Sequence, residues 1–226
     1  MAGISAVHSR HDPVSALVAA GGGAVLAVIA ETSGPSYRPV GAMMAVLGRK
    51  EWVGTLSSGC VEADIALHAL EARSDGEPRF VAYGKDSPFM DIQLPCGGGL
   101  KILLVPNPDL EVLENLKEHQ SQRRGITLEI EVNTGRMELT DSVKSGLDKN
   151  ILRIRIGPEL KFFVFGKGPE AGQFAALVQT LGYENLLLSP DDETLGAGDL
   201  AGCDTHLLTG KNYPQDLAVD HRTAIV

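Results

Sequence analysis

Two short segments of the sequence pair a cysteine with small residues. Ser57–Cys60 (SSGC) directly precedes a predicted helix, where backbone N–H groups and the helix dipole favour an anion or a cysteine thiolate. Cys96–Gly99 (CGGG) precedes a predicted buried strand, and three consecutive glycines suit a backbone that approaches a ligand or another chain closely. The ordinary alternatives are a serine helix cap with a buried cysteine, and a tight turn with an incidental cysteine.

The two cysteines are candidates for soft-metal binding or sulfur chemistry, because the thiolate is both the nucleophile and the metal ligand. Cys60 and Cys96 have neither a CxxC spacing nor nearby paired histidines, which argues against a four-ligand zinc site. The elements that flank the two segments can share one sheet, so we expect the two thiols to converge. His68, in the middle of a predicted helix, is interpreted as an ordinary histidine.

A third candidate is the turn Gly166-x-Gly168-x-x-Ala171, which follows a predicted strand and opens a predicted helix as dinucleotide-binding turns do. Two features weaken this interpretation. Pro169 removes one backbone donor from the phosphate cradle, and Ser189 stands where NAD-binding proteins carry an acidic residue. An NAD(P)-binding oxidoreductase and a Rossmann-like half kept for structure or protein contact therefore both stay open.

A basic residue stands inside an irregular loop that contains two prolines. Arg38 lies in the segment Gly34–Gly41 (GPSYRPVG), and a guanidinium can bind a phosphate or carboxylate through two parallel hydrogen bonds. A solvated arginine is the ordinary alternative. The loop is thus a candidate anion clamp.

Apolar and helical patterns predict the elements that must position these residues. The first half of the chain predicts two helices, a short one that begins at Asp12-Pro13 and stops at Gly21 and one over 61–73, and five strands over 24–31, 42–47, 52–56, 79–83 and 100–105. A third helix over 110–124 follows, then a hairpin over 126–139 and an alternating strand over 151–156. From residue 160 a strand, a turn, a helix over 173–181 and a second strand predict a parallel, right-handed layer.

These elements predict an α/β protein with an N-terminal α+β domain built on a mixed sheet, followed by a short Rossmann-like parallel α/β domain. The expected divisions are 1–108, a connector with a helix and extra strands over 109–159, and a partial Rossmann-like domain over 160–226.

Composition and charge exclude several classes of protein. The 226 residues carry a formal net charge of −9 without a basic run, which disfavours nonspecific binding to nucleic acid or to an anionic membrane. The apolar runs are strand-length, well below the ~20 residues of a membrane-spanning helix. Three cysteines, an odd number, argue against a disulfide framework. The first residues lack the apolar core of a signal peptide, so we expect a cytoplasmic protein.

Taken in their order along the chain, these segments resemble the xanthine dehydrogenase accessory factor family, XdhC/CoxI. The resemblance covers roughly residues 12–108 and 160–226, and departures at Tyr37 and Ser58 indicate a divergent member. The segments that carry it are Gly34–Gly41 (GPSYRPVG), Gly54–Asp64 (GTLSSGCVEAD), Leu94–Gly99 (LPCGGG) and the glycine turn after residue 165.

The resemblance implies an accessory factor more than a catalyst. Such a chaperone binds the molybdenum cofactor (molybdopterin) transiently, assists its sulfuration together with a cysteine desulfurase, and inserts it into a molybdenum hydroxylase such as xanthine dehydrogenase. A homodimer is a further expectation. Cys60 and Cys96 are the candidate thiols for sulfur transfer and for contact with the molybdenum. The predicted cofactor-binding residues are Arg38, Gly41, Ser58, Gly59, Cys60, Glu62, Cys96, Gly97, Gly98, Gly166, Gly168 and Ala171.

Overall fold

A computed structural model describes residues 12–84, 94–197, 200, 202–210, 214–215 and 217–226. The chain forms two compact units, one over Ser9–Gly157 and one that contains Pro158–Val226. The expected three-part division of the chain stays a prediction. None of the helices in the described ranges has both the length and the hydropathy needed to cross a membrane.

An antiparallel five-stranded sheet is the centre of the first unit, in the order β3-β2-β1-β5-β4. Its central strand β1 is buried on both faces from Val25 to Ala30, which explains why this segment is continuously apolar rather than alternating. The α+β class is confirmed, but all four strand pairings are antiparallel, so the expected mixed sheet was wrong in this detail. The strands are β1 (Val25–Ser33), β2 (Met43–Gly48), β3 (Glu51–Gly54), β4 (Arg79–Gly84) and β5 (Gly99–Pro106).

Helices cover both faces of this sheet. Helix α2 (Glu62–Asp75) packs its buried side chains, among them Ile65, on one face. Helix α1 (Pro13–Ala20) and helix α3 (Leu110–Ser121) pack on the other face together with a second sheet. Two apolar cores on opposite faces therefore hold the central sheet in place.

The second sheet is antiparallel and has the order β7-β6-β9-β8. It belongs to the same compact unit as the five-stranded sheet, and its apolar residues, among them Leu128 and Ile154, share a core with strand β1. The hairpin predicted after residue 125 is present, whereas the three-residue strand β8 was not predicted. The strands are β6 (Ile126–Glu131), β7 (Met137–Thr140), β8 (Gly146–Asp148) and β9 (Ile151–Ile156).

The unit that contains Pro158–Val226 has a parallel four-stranded sheet, in the order β12-β11-β10-β13. This confirms the predicted Rossmann-like layer. Helix α4 (Pro169–Thr180) starts four residues before the predicted Gln173, because Pro169 takes the first helical position. The remaining elements are β10 (Lys161–Phe165), β11 (Glu184–Ser189), α5 (Asp192–Leu195), β12 (Asp204–Leu207) and β13 (Thr223–Ile225).

Candidate functional site

Strand direction brings the three family-like segments to one edge of the five-stranded sheet. Strands β1, β3 and β4 run in one direction and β2 and β5 in the other. The loops that follow β1 and β3 and the loop that precedes β5 therefore leave the sheet at the same edge. These loops contain Gly34–Gly41, Ser57–Cys60 and Cys96–Gly98, so both cysteine segments lie at this edge, and the convergence of the two thiols stays a prediction.

The first loop, between β3 and α2, is folded around the carboxylate of Glu62. This side chain is only 2% exposed. Its Oε1 accepts hydrogen bonds from Thr55 Oγ1 at 2.5 Å and from the backbone N–H of Leu56 and Ser57 at 2.9 and 2.8 Å. Its Oε2 accepts from Ser57 Oγ at 2.6 Å and from the Gly59 N–H at 2.9 Å. The carboxylate thus takes the place that an external anion would occupy.

The remaining N–H groups of the loop also have partners. The Ser58 N–H donates to Thr55 Oγ1 at 3.0 Å, and those of Cys60 and Val61 both donate to Ser57 Oγ at 3.0 Å. The backbone donors from residue 56 to residue 61 are therefore engaged within the loop. Glu62 and two hydroxyls thus engage the N–H groups of the loop that precedes the helix, whereas helix α2 has no side-chain cap at its N-cap Val61, so the anion site expected at the helix start stays a prediction.

These contacts determine the protonation state of Glu62. Burial by itself raises the pKa of a carboxyl group, but hydrogen bonds from the side chains of Ser57 and Thr55 and from backbone N–H groups stabilise the charged form. Together they lower the pKa of Glu62 to about 2. Glu62 is therefore ionised at neutral pH and holds the loop, while the side chain of the neighbouring Cys60 is exposed.

The second cysteine segment lies directly against the loop that follows β1. Cys96 is exposed, and its Sγ donates to the Pro35 carbonyl oxygen at 3.6 Å. Gly98 is required for this approach, because a Cβ at that position would lie 1.9 Å from the same carbonyl oxygen. Gly97, by contrast, is exposed at φ +73° with nothing within 4 Å of a Cβ. A cysteine thiol and bare backbone thus line one side of the edge.

The two remaining predicted residues of this edge have different surroundings. Arg38 is exposed in the loop, and its carbonyl oxygen accepts a hydrogen bond from Ser36 Oγ at 2.6 Å. Gly41 instead packs against strand β9, because a Cβ there would lie 2.8 Å from Ile154 Cγ2. Its N–H donates to the Ile29 carbonyl at 2.8 Å. Arg38 offers a guanidinium, whereas Gly41 anchors the loop to the second sheet.

A buried tyrosine fixes the end of strand β4 beside this edge. Tyr83 is 2% exposed and donates to Asp64 Oδ2 at 2.7 Å. Burial, and then the hydrogen bond and charge of Asp64, raise the pKa of Tyr83 above its usual range. Asp64 also lies 3.5 Å from His68 Nε2, so His68 belongs to a surface ion-pair network on helix α2. Sequence reasoning did not single out Tyr83.

No group of three or more metal-ligating side chains exists among the described residues. Cys60 and Cys96 are both free and exposed. Cys203, in the second unit, is half-buried, and burial raises the pKa of its thiol.

The glycine turn of the Pro158–Val226 unit is shaped by its own contacts. Gly166 allows helix α4 to approach, because a Cβ there would lie 2.6 Å from the Cβ of Ala171. The Gly168 N–H donates to Thr194 Oγ1 at 2.9 Å. That hydroxyl in turn donates to Asp191 Oδ2 at 2.6 Å. The backbone donor that would face a phosphate is thus engaged inside the protein.

A cavity of about 430 Å³ adjoins this turn. Two acidic residues, Asp191 and Glu193, line it together with Lys167, whose Nζ lies 3.5 Å from Asp191 Oδ1. Hydrogen bonds from the Thr194 side chain and backbone lower the pKa of Asp191, and Lys167 adds to this effect. The negative charge of the lining disfavours a pyrophosphate.

The sequence of the chain is similar to those of known proteins. Residues 17–84, which include the loops after β1 and β3, match the XdhC and CoxI family. The chain is also 34% identical over 170 residues to the molybdenum cofactor insertion chaperone PaoD of Escherichia coli strain K12. The chain belongs to the XdhC and CoxI family. The alignment with PaoD covers 73% of the chain, and the chain spans about half (52%) of the length of PaoD.

A solved structure has a similar fold. The crystal structure of a xanthine dehydrogenase from Bacillus halodurans superposes with a TM-score of 0.72 at 17% sequence identity. The match covers 95% of this chain and 73% of the other. At this identity the likeness concerns the fold alone.

Sequence reasoning missed the residues whose side chains accept hydrogen bonds from the backbone N–H groups of the loops. Thr55, Ser57 and Thr194 each supply a hydroxyl that accepts a backbone N–H near the start of a helix. Hydroxyl residues before or after a helix start are a recognisable capping signal. Thr55 and Ser57 lie ahead of the N-cap Val61 and do not cap the helix, and Thr194 is 26 residues from its partner, so no local capping signal in the sequence identifies these contacts.

Proposed function

We propose that this chain is a chaperone that binds the molybdenum cofactor and helps to insert it into a molybdenum hydroxylase. The observation that carries the proposal is the 34% identity over 170 residues to an insertion chaperone. The cofactor is cargo here, so an exposed site that releases its ligand suits the role better than an enclosed one.

The groups at the edge suit this cargo chemically. Molybdenum in a sulfur-rich centre is a soft metal ion that prefers thiolate ligands, and Cys96 presents an exposed thiol beside bare backbone. We assign Cys96 to contact with the metal end of the cofactor. Gly97 provides the close approach, Gly98 holds the segment against the Pro35 carbonyl, and Arg38 provides a guanidinium for the phosphate of the cofactor.

Within this proposal Glu62 has a positioning role. Its carboxylate is buried and accepts hydrogen bonds only within its own loop. It therefore acts through the loop that presents Cys60, together with Ser58 and Gly59, and does not contact the cargo. Gly41 likewise acts by fixing the Arg38 loop on strand β9.

The two exposed thiols also suit a role in sulfuration. We propose that Cys60 or Cys96 accepts one sulfur atom from the persulfide of a cysteine desulfurase, which leaves the donor cysteine as a thiol and the acceptor as a persulfide. The desulfurase, the hydroxylase and a second copy of the chain are the proposed partners. Thiol accessibility is the physical support, since thiol exchange requires an exposed acceptor.

The proposal is tested by purifying the protein from cells that make the cofactor and measuring bound pterin and molybdenum. We expect both to accompany the parent protein and the Cys203→Ala variant, and to fall at least tenfold in Cys96→Ala. Because Cys203 lies in the other unit, it is the matched cysteine control. Absence of pterin from the parent protein would reject the proposal.

The alternative function is NAD(P)-dependent oxidation, suggested by the parallel sheet and the turn from Gly166 to Ala171. Two contacts weigh against it: the Gly168 N–H is engaged by Thr194, and acidic side chains line the adjoining cavity. Titration with NADH and NADPH, followed by nucleotide fluorescence, separates the two functions. Saturable binding at micromolar concentration would favour the alternative.

A further inference from the structure

A cavity of about 430 Å³ lies between the end of strand β1 and the hairpin β8–β9. This size falls in the range of small-molecule sites. Its lining joins the loop after β1 to the second sheet, which the sequence had assigned to a connector. Two arginines of strand β9 line it, together with Glu31, Thr32, Val40, Ser145, Leu147 and Ile154.

Both walls of the cavity are held by packing and backbone hydrogen bonds. The missing Cβ of Gly41 lets the loop sit on Ile154, and the Gly41 N–H donates to Ile29. On the opposite wall, Ser145 Oγ accepts the N–H of Arg155 at 3.2 Å. The cavity is therefore pre-formed, which lowers the entropic cost of binding a rigid ligand.

The lining has two chemical characters. Val40, Leu147 and Ile154 offer apolar surface, which suits the faces of a flat ring. Thr32, Ser145 and the Glu31 carboxylate offer hydrogen-bonding groups, which suit the polar rim of a heterocycle. Glu31 is about half exposed, and Lys101 Nζ lies 3.3 Å from its Oε1, a surface ion pair that contributes little by itself.

Two arginines line the cavity, and Arg153 is paired with carboxylates. Its Nε donates to Glu129 at 2.9 Å, and its Nη1 lies 3.7 Å from Asp148. Arg155, the other one, directs Nη1 to the Ser142 carbonyl at 3.5 Å. Arg153 is paired with carboxylates, whereas Arg155 keeps its charge because a carbonyl is neutral, so the lining offers both a carboxylate and a guanidinium to the polar rim of a heterocycle.

We infer that this cavity binds the pterin ring of the cofactor, with Glu31 accepting hydrogen bonds from the ring's amino and N–H groups, an inference that rests on the proposed function. The position supports a single extended ligand. Thr32 lines the cavity, and Pro35, three residues later, accepts the contact from Cys96. Three residues span at most about 10 Å, so one fused-ring ligand can reach from the cavity to the thiol.

The inference is tested with the full-length protein purified from cofactor-producing cells. Leu147→Trp fills the cavity, and Glu31→Gln keeps the shape while it removes the charge. We expect bound pterin to fall at least tenfold in Leu147→Trp and about fivefold in Glu31→Gln. Val143→Trp, at an 85% exposed position, and Glu138→Gln, a surface carboxylate near Arg136, are the matched controls and retain parental pterin content.

The outcomes separate the inference from the proposed function. If the parent protein carries pterin and both cavity variants carry as much, the ring binds elsewhere and the inference is overturned while the chaperone function stands. If the parent carries none, the chaperone function fails and the inference fails with it. Should Leu147→Trp lower the melting temperature below that of Val143→Trp, the result for Glu31→Gln decides.

Discussion

Two glycine-containing turns of this protein lead from a strand into a helix. Each is filled by the chain itself, in the sense that a side chain accepts hydrogen bonds from the backbone N–H groups of the turn, but the accepting group differs. Before helix α2, the buried carboxylate of Glu62 and the Ser57 hydroxyl take up the backbone N–H groups. Before helix α4, the neutral hydroxyl of Thr194 takes up the Gly168 N–H. The first filling is charged and the second is neutral, and both side chains are buried.

The difference teaches that a strand, a glycine turn and a helix do not by themselves make an anion site. What decides is whether the chain places its own acceptor at the helix start. Here the chain supplies acceptors for the N–H groups of residues 56–61 and for that of Gly168, so we look for the chemistry of the first turn in the thiols and backbone around it. Four predictions test how strongly each turn depends on its own internal contacts.

Replacing Glu62 by glutamine has the largest expected effect. We expect the variant to lose about 3 kcal/mol or more of unfolding free energy, because an amide cannot accept five to six hydrogen bonds and places an NH₂ group against buried donors. Urea denaturation measures the loss. Glu71→Gln, an exposed carboxylate on the same helix, is the control and changes stability by less than about 0.5 kcal/mol. Equal losses of unfolding free energy in both variants would show that the hydrogen bonds to the Glu62 carboxylate do not stabilise the loop.

The same carboxylate predicts a dependence of stability on acid pH. The folded pKa of Glu62, about 2, lies below its unfolded value, so the stabilisation is present above the unfolded pKa and is lost as pH falls toward the folded pKa. The difference in unfolding free energy between parent and Glu62→Gln should therefore shrink by up to about 3 kcal/mol from pH 6 to pH 2. A difference that is independent of pH would show that the charge has no role.

The neutral filling predicts a smaller effect. Thr194→Val keeps the side-chain shape but removes the acceptor of the Gly168 N–H and the donor to Asp191. We expect a loss of about 1–2 kcal/mol, together with faster hydrogen exchange in a peptide that contains Gly168. Thr180→Val, whose hydroxyl bonds only within helix α4, serves as control. Unchanged exchange at Gly168 would remove the parallel between the two turns.

The smallest effect is expected at Lys167. Its side chain is 69% exposed, and its ion pair with Asp191 spans 3.5 Å. Because such surface pairs contribute about 0–1 kcal/mol, Lys167→Ala should lower stability by no more than about 0.5 kcal/mol, with the difference disappearing in high salt. A larger loss in the denaturation midpoint would mean that charge holds the second turn as it does the first.

Periodicity in the sequence predicted most of the elements because each carries its apolar or helical pattern within its own segment. The apolar run after Gly23 is strand β1, and the helical pattern after Cys60 is helix α2. The short elements β8 and α5, of three and four residues, carry too little pattern to be found. The early start of α4 was predictable from Pro169 at its first position.

The candidate site was only half predictable. The residue types at Cys96, Gly98 and Arg38 singled out the loops, and the strand directions then explain why they share one edge. The role of Glu62 could not be inferred from its helix position alone, because its partners are assembled by a closed loop. The contact between Gly41 and Ile154 joins segments 113 residues apart, which no local pattern reveals.

The central claim is that this chain hands over molybdenum cofactor, and transfer itself is the most direct measurement. Cofactor-loaded protein is mixed with a cofactor-free molybdenum hydroxylase of the same organism, the two are separated, and molybdenum is measured in each. The account predicts that molybdenum moves to the hydroxylase and that its activity rises in proportion, and that Cys96→Ala transfers at least tenfold less. Molybdenum that stays with the chain, or transfer that is unchanged in Cys96→Ala, would contradict it.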